Sequence, residues 1–139
     1  MNLMKPTSIL ESALYVDDLE AAEYFYVNVL GLEPAGKVEG RHAFFYCGAM
    51  IVLLFNAEVT KLPSDNPTLP VPVHGAFGQG HLCFRATERE MDDWVRHLEK
   101  HGVAVEADFN WPGGGRSIYF RDPSGNSLEF AEPKIWDLT

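Results

Sequence analysis

Polar and apolar positions along the chain fall into two stretches with the same succession of periods. Leu19, Ala22, Tyr26 and Val29 recur at helical spacing on one face, and Met91, Trp94, Val95 and Leu98 do so later. A capping pattern opens each run. In Asp17-Asp18-Leu19-Glu20, Asp17 is the expected N-cap with Glu20 at N3, and Thr87-Glu88-Arg89-Glu90 repeats the arrangement. Each cap can satisfy backbone N–H groups that a helix start leaves free. Gly31 and Gly102 follow the runs and suit the left-handed residue that closes a helix.

Around the helices the period shortens to that of strands. One strand precedes each helix, at Ile9–Val16 and His81–Ala86. Three follow the first helix, at Pro34–Val38, His42–Tyr46 and Met50–Phe55, and three follow the second, at Ala104–Phe109, Ser117–Phe120 and Ser127–Ala131. Asp122-Pro123-Ser124-Gly125-Asn126 supplies turn chemistry, because Pro fixes φ and Gly tolerates positive φ. An offset of 70 pairs Asp17 with Thr87 and Glu11 with His81. An offset of 75 pairs His42 with Ser117, Phe44 with Tyr119 and Leu54 with Glu129. Such a repeat predicts two equivalent βαβββ units sharing a core within one domain, residues 1–139. Module 1 spans about 8–57 and module 2 about 80–133. Residues 58–79, with Pro63, Pro67, Pro70 and Pro72, read as a partly extended linker.

Composition narrows the function classes. The net charge of −9 argues against nucleic acid and anionic membrane as partners. Cys47 and Cys83 make neither a metal-type pair nor a disulfide framework, which is consistent with reduced thiols in the cytoplasm. The amino-terminal MNLMKPTS has no apolar run long enough for a leader, and no stretch is long enough to span a bilayer.

Strand parity then brings titratable groups together. Glu129 interrupts an apolar strand; if it points inward, so do Ser127 and Ala131, and Ser117 and Tyr119 share its side. His81 and Glu11 head equivalent strands. Glu11, His81 and Glu129 thus offer two carboxylates and an imidazole to one divalent cation, with coordination positions left open for substrate or water. The plainer alternative makes Glu11 a solvated strand end and His81 a hydrogen-bonded cap. Ser117, Tyr119 and His42 are candidate substrate contacts, against barrel filling by Tyr119, a locally bonded serine and a surface histidine. Cys83 could share the face of His81 or be a small buried apolar group. Arg41, Arg116 and Arg121 could each hold an anion or be a solvated strand end. Trp111-Pro112-Gly113-Gly114-Gly115 could form a mobile lip or an ordinary loop.

Three segments carry a family resemblance. Ser12 to Leu32 resembles the opening of the glyoxalase/bleomycin-resistance/dioxygenase (vicinal oxygen chelate) superfamily, Gly80-His-Leu-Cys-Phe84 its second-half opening, and Gly114 to Phe130 its closing hairpin. The resemblance implies an α+β fold of paired βαβββ modules forming an incomplete barrel around one divalent metal ion (Zn, Mn, Ni, Fe or Mg), and a homodimer. By position, Glu11, His81 and Glu129 fall on three ligand places and Leu54 on the fourth, where it cannot bind metal. That departure counts against four-ligand glyoxalase I and methylmalonyl-CoA epimerase chemistry. Glu11 stands where three-ligand dioxygenases and fosfomycin-resistance transferases typically carry histidine. The expectation is a metal-dependent lyase, isomerase or transferase acting on a small oxygen-rich molecule, with Glu11 or Glu129 as base. A non-haem iron dioxygenase and a non-catalytic, resistance-type binding protein are the alternatives.

Overall fold

Two four-stranded sheets form, each carrying one helix between its first and second strands. A computed structural model describes residues 3–139, and the chain separates into one unit ending at Ala76 and a second running Phe77–Thr139. Met1 and Asn2, which begin the segment read as lacking a leader, lie outside the described residues. Among the described residues, no helix is long and apolar enough to cross a membrane.

In the first unit β1 (Glu11–Tyr15) leads to α1 (Leu19–Tyr24), then β2 (Glu33–Val38), β3 (His42–Cys47), β4 (Met50–Phe55) and the short α2 (Ala57–Thr60). In the second, β5 (His81–Arg85) leads to α3 (Glu88–Lys100), β6 (Ala107–Asn110), β7 (Arg116–Arg121) and β8 (Ser127–Ala131), and a 3-10 turn at Pro133–Trp136 follows. The sheet orders are β1-β4-β3-β2 and β5-β8-β7-β6. In each, the first and last strands pair in parallel and the rest antiparallel. Both sheets are open, and the architecture is α+β with a repeated βαβββ order.

Local sequence explains the helix ends. Thr87 and Glu90 form the reciprocal capping box, at 3.1 and 2.9 Å. The first helix starts one residue later than expected: Asp18, not Asp17, is the N-cap and accepts from Ala21 N at 3.0 Å. Glu20 then misses N3. Gly31 and Gly102, at φ 74° and 72°, end the helical segments as expected. Unforeseen was the widening of the first helix into a π-helical turn over Phe25–Val29, where Leu30 N reaches back to Phe25 O. The wider turn buries the sequence neighbours Phe25 and Tyr26 together.

One face of each sheet packs under its own helix. In the first unit Tyr26 stacks on Phe45 at 5.9 Å, and Leu14, Ala43, Val52 and Leu54 are buried. In the second Trp94 stacks on Phe130 at 4.4 Å beside buried Ile118, Phe120 and Leu128. The opposite faces carry Glu11, Ala13, Tyr15, His42, Phe44, Leu53 and Phe55 in one unit, and His81, Cys83, Ser117, Tyr119 and Glu129 in the other.

The strand register corrects one equivalence. Ile51 lies opposite Glu11, whereas Ser127 lies opposite His81, so β4 and β8 correspond at an offset of 76 rather than 75. Glu129, between Cys83 and Tyr119, therefore matches Leu53, between Ala13 and Phe44. Leu54 lies on the other face, fully buried opposite Leu14 and Ala43, and does not face the ligand positions. The cause is turn length. Paired Arg121 and Ser127 enclose one residue more than paired Tyr46 and Ile51.

Candidate functional site

The second unit assembles a cluster around one buried carboxylate. Glu129 sits mid-strand in β8 with only 5% of its surface exposed. Register places Cys83 on one side and Tyr119 on the other, and His81 reaches it from the head of β5. His81 is held by the turn that follows β7. Asp122 accepts from the backbone N–H groups of Ser124 and Asn126, and buried Asn126 in turn accepts from Gly80 N at 2.7 Å. That contact fixes the residue immediately before His81.

The imidazole has a defined orientation. Its Nδ1 lies 2.9 Å from the carbonyl oxygen of Ser127, and a carbonyl only accepts, so Nδ1 carries the hydrogen. Nε2 lies 3.2 Å from Glu129 Oε1. A neutral His81 would therefore turn an Nε2 lone pair towards a carboxylate oxygen. Two acceptors at that distance repel unless a cation accompanies them, either a proton on Nε2 or a metal ion. Anchoring of the distal nitrogen to a carbonyl is the support that metal-ligating histidines commonly have.

A donor chain approaches Glu129 from the opposite side. Trp111 Nε1 donates to Ser117 Oγ at 2.8 Å, and Ser117 is fully buried. Tyr119 lies opposite Glu129 across the β7–β8 ladder and on the same face as Ser117, and both groups act on its phenol. Indole nitrogen only donates, so Ser117 Oγ accepts from it and keeps its own hydrogen for the Tyr119 side. Burial, the hydrogen bond to Glu129 and its negative charge push the Tyr119 phenol up to about 12. Burial and the same carboxylate push the Cys83 thiol to about 12. Tyr119 therefore keeps its proton at neutral pH. Cys83, although surface-exposed, is no ready nucleophile. Phe109 stacks on Tyr119 at 5.9 Å and meets Trp111 at 4.9 Å, extending the aromatic side of the cluster.

The Trp111–Gly115 segment is a hydrogen-bonded turn. Trp111 N donates to Gly115 O and Gly114 N to Trp111 O, while a side chain at Gly115 would strike Ile135 at 2.5 Å. Arg116 and Arg121 are committed elsewhere, Arg116 to Asp108 and Asp92 and Arg121 to Glu106. Neither is an open anion site.

His81, Glu129, Tyr119 and Ser117 thus share one face, as parity indicated. Glu11 heads β1 in the first unit, exposed, at the register position of His81. His42 opens β3 and stacks on Phe44 at 4.0 Å. Among the described residues no three His, Cys, Asp or Glu side chains gather in metal-binding geometry. His81 and Glu129 fit two places of a metal site by donor type and convergence.

The repeated βαβββ order with a His–Glu pair on its strands is the arrangement against which the chain compares. Residues 8–130 match the profile of the Glyoxalase/Bleomycin resistance protein/Dioxygenase superfamily. The chain belongs to this superfamily. Within it, the chain is similar to a structure of lactoylglutathione lyase from Agrobacterium tumefaciens, at 45% identity and TM-score 0.92, covering 97% of this chain and 100% of that one. It is 29% identical to Virulence protein STM3117 of Salmonella typhimurium, over 86% of this chain and 79% of that protein. A Nocardioides member of the superfamily superposes with TM-score 0.72 at 25% identity, over 94% of this chain and 85% of that one. Enzymes of the superfamily commonly use a divalent metal, and its members typically bind small molecules.

Sequence reasoning overlooked Trp111 as a donor. The available signal was an indole placed so that it could reach an inward serine across the β6–β7 hairpin, where Phe109 pairs with Ser117.

Proposed function

We propose that this chain is a metal-dependent enzyme of lyase or isomerase type, acting on a small substrate that offers two oxygens to the ion. Glu129 and His81 are two ligands and Glu11 the third. The observation that carries this reading is the approach of His81 Nε2 to Glu129 Oε1 at 3.2 Å, with Nδ1–H already donated to Ser127. When bound, a divalent ion supplies Lewis-acid stabilisation to an enolate or alkoxide oxygen. The chain's own groups do the rest. Tyr119, held protonated, orients Glu129, and Trp111 and Ser117 hold Tyr119. Either Glu11 or Glu129 serves as the base that takes a proton from substrate. Leu53, the first-unit counterpart of Glu129, offers only hydrocarbon. That supports three protein ligands rather than four.

Similarity to lactoylglutathione lyase makes the interconversion of lactoylglutathione with glutathione and its carbonyl partner the first reaction to assay, run in the direction that forms the thioester and followed by thioester absorbance. Elemental analysis of protein purified without chelator is expected to find one divalent ion per chain. Protein that stays metal-free after incubation with Zn, Mn, Ni, Fe and Mg overturns the reading. Bound iron with oxygen uptake would select a dioxygenase instead.

A further inference from the structure

We infer that His97 and His101 form a chelating site for a transition-metal ion of the copper(II) or nickel(II) kind, at the C-terminal end of α3. The two residues stand four apart, so one helical turn brings both side chains to the same face. Helical register holds to the end. His101, the C-cap, still donates its N–H to His97 O at 3.1 Å, and Gly102, at φ 72°, turns the chain away behind it.

The rings meet as that spacing requires. Their centres lie 4.5 Å apart with planes tilted by 52°, His97 half-buried and His101 exposed. A neutral imidazole offers one nitrogen lone pair, and an ion bound to it sits about 2.0–2.1 Å from that nitrogen, hence roughly 3.2 Å from the ring centre. Two centres 4.5 Å apart then subtend close to a right angle at a shared ion. Neighbouring positions of square-planar or octahedral coordination have that angle, and the tetrahedron that zinc prefers is wider. Imidazole suits copper and nickel as a donor, and water completes the shell on the exposed side.

The surroundings favour a cation. Both residues lie in the last turn of α3, where the helix dipole presents its negative end. His97 also lines a hollow with Glu90, Asp93 and Trp94. Arg96, the guanidinium beside His97 in sequence, is closed on Asp93. The remaining histidines are engaged elsewhere: His42 stacks on Phe44, His74 meets the Tyr15 hydroxyl, and His81 lies between Ser127 and Glu129. Two imidazoles hold an ion less tightly than the three ligands proposed around Glu129. The pair therefore fills only when metal is in excess, and it uses no residue of that set. Trp94 stands edge-on to His97, ring centres 5.4 Å apart, where a paramagnetic ion quenches its emission.

Nickel(II) tests it, titrated into untagged full-length protein and followed by NMR of the histidine rings and by tryptophan fluorescence. Wild type is expected to show a saturable event in which the His97 and His101 signals broaden together and tryptophan emission falls. His101→Gln, a change at an exposed position, should lose about tenfold or more in affinity for that event, because the second nitrogen of a chelate binds intramolecularly. His97→Gln should lose as much. Glu129→Gln should keep the event unchanged, so failure of the reading around Glu129 and failure of this one are told apart. Broadening of His97 without His101 in wild type overturns the inference before any variant is made. So does affinity retained in a folded His101→Gln, or lost in Glu129→Gln.

Discussion

Replacing Glu129 by Gln removes the charge at the centre of the cluster while keeping its volume. In metal-free protein two effects oppose: a buried charge is relieved, and the strongest acceptor of Tyr119 is weakened. The net change in stability is expected to lie within about 1 kcal/mol of zero. Metal separates the two proteins. At a free metal concentration of about 100 times Kd, binding stabilises wild type by about 2.7 kcal/mol. At roughly 3–5 °C per kcal/mol for a chain of this size, the midpoint should rise by about 8–13 °C. Glu129→Gln should show almost none of that rise. The same variant should lower the Cys83 and Tyr119 pKa values only partway from about 12, because burial is the larger cause for both. Thermal melts with and without added Mn, Ni or Zn, at matched free metal, make the comparison. An equal metal-induced rise in both proteins refutes Glu129 as a ligand.

Two further outcomes follow from the packing. Leu54→Glu should leave little folded protein, because it puts an unpaired charge into a fully buried site at a cost of several kcal/mol, whereas Leu53→Glu on the other face should be milder; the reverse order in melting temperature would refute the register assigned to β4. Arg116→Met should cost about 1–2 kcal/mol at pH 7, discounted for the exposure of its partners, since it releases Asp108 and Asp92. Arg116 holds the Asp108 pKa below its ordinary value, so this stabilisation is complete above the usual Asp pKa of about 4 and fades as pH falls through the lower folded value. Melts of both proteins should therefore converge below about pH 4, and a constant gap would refute the pairing.

What could be read from the sequence was whatever its neighbours decide. The Thr87–Glu90 box spans four residues, and the alternation that puts Ser117 and Tyr119 beside Glu129 needs only strand parity. Asp17 and Asp18 are both competent caps; the choice went to Asp18 through its extended backbone, φ −134° and ψ 95°, which no side-chain pattern encodes. The π turn was hidden because its residues satisfy a helical period too. Leu54 was misplaced because Met50–Phe55 has no polar marker to show which leucine faces which way. The fates of Arg116 and Arg121 depended on Asp92, Asp108 and Glu106, carboxylates outside their own strand that only the folded chain brings near.

The turn at Asp122–Asn126 has a consequence for how two copies of one unit diverge. Its additional residue is absorbed outside the ladder, so every strand position downstream keeps its face despite the change in length. Among the described residues, no side chain of the first unit's turn, between Cys47 and Met50, bonds to the head of β1 as Asn126 does to that of β5. The longer version does: Asn126 ties down Gly80, and through it the residue that presents the imidazole. A difference that duplication leaves as slack has thus become a fastening, and the copy that carries it is the one that holds the His–Glu pair.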